Sequence, residues 1–169
     1  MKNIKSLLAI LSFLFVFALA ASAQEISFTS IDGQKINLEA QKGKVVVMAI
    51  GAQWLPLSAQ QAVSINKLAK KYAGRDVVFY FISTDSTSEK SKNYASDEAI
   101  RKFASTNKLS VTILRDSEGG TILKRYKIDQ IPSFVILNKE GKIVGEPFSG
   151  LDPKSDISIP ISQAIDKIL

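Results

Sequence analysis

A hydroxyl that could act as a nucleophile stands at Ser58, which closes the run Trp54-Leu55-Pro56-Leu57-Ser58 after an apolar stretch. At the head of a helix the positive end of the peptide dipole would favour developing negative charge on such an oxygen. The same serine opens Ser58-Ala59-Gln60-Gln61, which fits the S-x-x-Q capping box, and capping is the expected role. Asp85, Asp116 and Glu118 are the carboxylates near strand ends. A pair of them could hold a hard cation or work as acid and base. Their spacing makes no calcium loop, and they are expected on a solvated surface.

Two residue types are missing altogether. The chain has no cysteine and no histidine. Without a thiol there is no disulfide framework, thiolate nucleophile or thiolate metal site. Without an imidazole, the usual general base near neutral pH and the commonest transition-metal ligand are gone. Ser-His and Cys-His triads and most zinc and copper chemistry fall away together.

The elements that would position these groups follow from periodicity. Ile26–Thr29 and Lys35–Leu38 alternate on either side of Asp32-Gly33, which predicts a hairpin. Lys44–Ile50 and Val77–Ile82 are apolar on both faces, as in strands covered on both sides. Ala62, Ile65, Ala69 and Tyr72 recur at helical spacing and end at Gly74. Ala99–Ala104 predicts a second helix, Val111–Leu114 a strand and Gly119–Tyr126 a short helix. Ser133–Leu137, a turn at Lys139-Glu140-Gly141 and Lys142–Val144 predict two antiparallel strands. Ile161, Ala164, Ile165 and Ile168 form the last helical stripe, with Pro160 tolerated in its first turn. Strands alternating with helices imply a mostly parallel sheet covered by helices on both faces.

At the amino terminus, Lys2 and Lys5 precede an apolar run from Leu7 to Ala20 and then Ala21-Ser22-Ala23. These are the three parts of a cleaved signal peptide. A membrane anchor would need roughly 20 apolar residues. The expected division is therefore a leader over 1–23 and one domain over 24–169, exported to the periplasm or outside the cell, with no transmembrane anchor after cleavage. The 22 basic and 16 acidic residues leave a net charge of +6, two of it from Lys2 and Lys5. Basic residues scattered among acids describe a solvated surface and call for no nucleic-acid partner.

The order of elements resembles the thioredoxin fold, in particular the exported TlpA-like and AhpC/TSA-like redoxins. Three segments carry the resemblance. Val45–Gly51 with Ala52-Gln53-Trp54-Leu55-Pro56-Leu57-Ser58 is similar to the strand and G-A-x-W-C-x-x-C turn of that family. Phe81-Ile82-Ser83-Thr84-Asp85 is similar to its V-S-x-D corner. Tyr126–Leu137 followed by Glu140–Val144 is similar to its Y-x-V-x-x-I-P-T-x-x-L-I-D-x-x-G-K-I segment. The resemblance implies an α/β thioredoxin-like fold, with a central mixed sheet, helices on both faces and an N-terminal β-hairpin.

In that alignment the two cysteines fall on Leu55 and Ser58. Disulfide exchange needs an attacking thiolate and a resolving thiol, and peroxide reduction in this family runs through a sulfenic acid. Neither route is open. Gln61 stands where TlpA-like proteins commonly carry a glutamate, and Ala49 where thioredoxins carry a buried aspartate. Pro132 matches the family's cis-proline, which faces the active-site turn.

The implied function is a redox-inactive binding module for a polypeptide or partner protein. Its degenerate active-site turn is Trp54, Leu55, Pro56, Leu57 and Ser58, and its groove is Trp54, Gln130, Ile131, Pro132 and Ser133. An exposed Trp54 with Leu55 and Leu57 would form an apolar contact patch; a turn collapsed inward would put all three in the core. The alternatives are a cysteine-independent enzyme at the same cleft and a structural subunit of an envelope assembly. No catalytic residue, cofactor or metal is assigned.

Overall fold

The computed structural model describes residues 25–169, so the leader expected over 1–23 lies outside the described residues. The chain begins with the hairpin of β1 (Ser27–Ser30) and β2 (Lys35–Asn37). Gly33 takes φ +82°, a left-handed conformation that costs glycine little, and its N–H donates to the Ser30 carbonyl at 2.9 Å. The remaining strands are β3 (Val45–Gly51), β4 (Val77–Ser83), β5 (Thr112–Arg115) and β6 (Ser133–Leu137). The helices are α1 (Ser58–Lys71), α2 (Asp97–Thr106), α3 (Ile122–Arg125) and α4 (Ser158–Asp166).

One six-stranded sheet runs in the order β2-β1-β5-β4-β3-β6. Only β3–β4 and β4–β5 pair in parallel; β1–β2, β1–β5 and β3–β6 are antiparallel. The sheet is mixed, as the resemblance implied, and the mostly parallel sheet inferred from element alternation alone is corrected on this point. The helical crossovers make only the centre of the sheet, while the hairpin and β6 join its flanks in the opposite sense.

A second correction concerns Lys142–Val144. This segment returns beside β6 through the bridge Leu137–Ile143 and the bond from Val144 N–H to the Ile136 carbonyl, without forming a full strand. The next contact is the bridge Phe134–Phe148.

Alternation along β3 sets the two layers. Val45, Val47 and Ala49 pack on one face with Ile65, Leu68 and Tyr72 of the α1 side and Ile161 and Ile165 of α4. Val46, Met48 and Ile50 pack on the other with Phe28, Ile122 and Leu137. Every β3 side chain is buried, and complete burial of a Val or Ile is worth about 1.5–3 kcal/mol. The strand is thus a rigid stem, and the turn that follows it inherits a fixed direction.

Candidate functional site

The turn between β3 and α1 is built from successive short-range bonds. Leu55 N–H donates to the Ala52 carbonyl at 3.1 Å, and Ser58 N–H to the Leu55 carbonyl at 3.1 Å. Trp54 is 50% exposed, and Pro56 is exposed beside it. Leu55 and Leu57 are half-buried, with Leu57 packed against the α1-side core. The structure thus combines the two pictures of this turn. Trp54 and Pro56 face solvent, while the two leucines fold back.

Ser58 is not the helix cap expected from its sequence. It is the first helical residue, and the cap position falls on Leu57 without any side-chain bond. The N–H of Gln61, the donor a capping box would use, is taken by the Leu57 carbonyl at 2.9 Å. The Ser58 Oγ is buried and has no hydrogen-bond partner. The chain has no histidine to activate this hydroxyl.

Across from the turn lies the loop before β6. The register pairs Ile50 with Ser133, which sets Pro132 opposite the end of β3. The Ile131–Pro132 peptide is cis. Gln130 is exposed and Ile131 half-buried, whereas Pro132 and Ser133 are buried. Ser133 therefore lies beneath the surface, and its Oγ has no hydrogen-bond partner among the described residues. Among the described residues, the main-chain N–H and C=O of Gln130 and Ile131 have no hydrogen-bond partner.

The carboxylates are the chief surprise. Asp85 and Asp116, expected on a solvated surface, are buried. Asp85 accepts the N–H of Gln53 at 3.1 and 3.2 Å and the Ser83 hydroxyl at 2.8 Å. Asp116 accepts N–H groups from Thr121 and Ile122, the latter at 2.7 Å. Each carboxylate satisfies backbone donors that have no other acceptor, which is why each is inside. Glu118 alone of the three is exposed. The signal for Asp85 was its place two residues after the last buried position of a strand, where a polar side chain can turn back toward the adjoining loop.

Arg115 completes this corner. It donates to the Ala95 carbonyl at 3.0 Å and approaches Asp97 at 3.5 Å. Among the described residues no three His, Cys, Asp or Glu side chains converge as a metal site.

The AhpC/TSA family model matches residues 19–145. This chain belongs to the AhpC/TSA family. It is a thioredoxin-like redoxin without a cysteine. Its relatives include the thiol-disulfide oxidoreductase ResA of Bacillus thuringiensis subsp. konkukian, 27% identical over 118 residues. That match covers 70% of this chain and 62% of ResA. The thioredoxin-like protein YneN of Bacillus subtilis is 31% identical over 121 residues, covering 72% of this chain and 66% of YneN. The match thus spans a little under two thirds of each relative. Among solved structures, the pneumococcal exposed lipoprotein thioredoxin Etrx1 of Streptococcus pneumoniae superposes with a TM-score of 0.67. It shares 22% identity, and the superposition covers 85% of this redoxin and 98% of that chain.

Proposed function

We propose that this redoxin is a redox-inactive binding module that holds an extended polypeptide between the Trp54 turn and the Gln130–Ile131 loop. One observation carries the reading: the strand that leads into the half-exposed Trp54 pairs at its end with Ser133, and the main-chain groups of Gln130 and Ile131 just before it have no partner among the described residues. A strand-like segment would satisfy those groups by main-chain pairing, while Trp54 and Pro56 supply apolar contact. No thiol is needed for either interaction.

Two concavities among the described residues lie away from the turn. One of about 600 Å³ is lined by Ile26, Thr121, Lys124 and Arg125, and one of about 350 Å³ by Gln60, Val63, Lys67 and Pro153. A cysteine-independent enzyme at the same cleft would need convergent acids or lysines, but Asp85 is already committed to the backbone of the turn. Among the described residues, no helix is long and apolar enough to cross a membrane. The basic-apolar-small pattern of residues 1–23 supports export to the periplasm or beyond.

The test is a pull-down from the native envelope with wild type and Trp54→Ala. Wild type should retain a polypeptide that the variant loses while keeping its circular dichroism spectrum. Equal retention by both would place binding elsewhere.

A further inference from the structure

Behind the turn, one neutral side chain ties together the two strands that carry the groove. Gln61, buried on α1, donates from Nε2 to the Ile50 carbonyl at 3.2 Å and to the Ser133 carbonyl at 2.7 Å. Ile50 ends the β3 side of the ladder and Ser133 opens β6, directly after Pro132. Both amide protons are therefore spent on joining the base of the Trp54 turn to the base of the proline loop. The orientation of the amide follows from its partners, because an oxygen in that position would face two other oxygens.

The space for this staple exists because residue 51 is glycine. A Cβ on Gly51 would stand 2.5 Å from Gln61 Oε1 and 3.0 Å from Ser58 Oγ. Oε1 and the Ser58 hydroxyl thus share the face that glycine leaves open, and both are buried without a hydrogen-bond partner among the described residues.

We propose that Gln61 is the positioning residue of the groove, an amide staple that fixes the Trp54 turn against the Pro132 loop and does so independently of pH because it carries no charge. This role stands whether or not the groove binds a polypeptide, since it concerns the free protein.

The chemistry makes the amide hard to replace. A carboxylate has the same shape but donates no hydrogen bond, and would confront both carbonyls with negative charge. Protonated, it could satisfy one of them. A glutamic acid at this position would have its pKa raised by burial and by the two acceptors. Its cost to the fold is then least below the unfolded-state pKa of about 4.3 and grows as pH rises through the folded-state value.

The experiment uses partner-free protein, so its failure is separate from any failure of the binding reading. Melting temperatures of wild type and Gln61→Glu are compared between pH 4.5 and 8. The deficit of the variant should widen by roughly 5 °C or more across that range; a deficit that stays constant overturns the proposal. A variant that folds at pH 4.5 and not at pH 8 is the same result in stronger form.

Gln61→Met, neutral and of similar length, keeps the test decisive if the glutamate variant fails to fold at all. Its deficit should be flat with pH. Amide exchange should quicken at least tenfold at Thr84 and Phe134, whose N–H groups bond to Gly51 and Phe148 beside the stapled carbonyls. Exchange at Tyr72, at the far end of α1, should be unaltered. Wild-type exchange rates at Thr84 and Phe134 would show that the amide holds nothing in place.

Discussion

The carboxylate of Asp85 receives the main-chain N–H of Gln53 through both oxygens, at 3.1 and 3.2 Å, and is itself 1% exposed. An acid beyond the end of β4 thereby anchors the residue immediately before Trp54. The turn is held on one side by this acid and on the other by the Gln61 amide, so its shape does not depend on a disulfide.

Removing that anchor should loosen the turn. Asp85→Ala leaves the Gln53 N–H and the Ser83 hydroxyl without their acceptor, and unsatisfied buried groups cost about 1–3 kcal/mol each. A loss of about 2 kcal/mol or more in urea unfolding is expected, together with a red shift in Trp54 emission. An unchanged emission maximum with full stability would mean that the anchor is dispensable.

Gly51→Ala should be more disruptive than its chemistry suggests. The added methyl meets Gln61 Oε1 at 2.5 Å, and Gln61 cannot swing away without releasing two carbonyls. Overpacking of this kind costs about 1–3 kcal/mol. Denaturant titration checks it, and Gly51→Ala combined with Gln61→Ala should recover part of the loss.

Wild-type protein should not accelerate insulin reduction by dithiothreitol, because neither Leu55 nor Ser58 can form a thiolate. Leu55→Cys with Ser58→Cys restores two thiols across one turn, joined by the bond from Ser58 N–H to the Leu55 carbonyl. An internal disulfide should form under air, seen as the loss of two titratable thiols. Catalysis by the unsubstituted protein would contradict the redox-inactive reading.

Acid should weaken the grip of α1 on α4. The hydrogen bond from Lys67, with help from Ser158, lowers the Asp156 carboxyl from its ordinary 3.8 to about 2. Asp166 is lowered as well, first by the Tyr72 hydroxyl and then by Lys71. A carboxylate with a depressed folded-state pKa stabilises the fold fully above its ordinary value. That contribution disappears as pH falls from about 3.8 toward 2. Thermal melts from pH 7 to 2 should show a shallower acid decline for Asp156→Asn than for wild type.

Much of the fold was legible because its elements advertise themselves locally. Lys44–Ile50 and Val77–Ile82 could hardly be anything but covered strands, and the helical stripe of Ile65 and Leu68 needs no partner to be recognised. Strand direction was less legible, since β1 pairs with β5 across most of the chain and no local pattern records that choice. The candidate site was legible as two segments of chain and not as a set of contacts. Trp54 and Pro132 announce themselves by resemblance. The burial of Asp85 and Asp116 depends on which loop amides lack acceptors, which only the folded backbone decides. Ser58 misled because a capping box is a statement about side chains reaching backbone, and here Leu57 had already supplied the bond.

The antiparallel match of Thr29 with Arg115 has a bearing on synthesis. A chain emerging amino terminus first completes its hairpin early, yet the strand that covers the hairpin's inner edge, Thr112–Arg115, is made only after roughly three-fifths of the described residues have appeared. Throughout that interval β1 presents unpaired backbone, the kind of edge on which other chains can nucleate. The short length of β2 and the lysine at its start limit the hazard on the outer side. Docking onto Arg115 removes it on the inner side, which makes closure of that pairing the step at which the nascent polypeptide becomes safe from its neighbours.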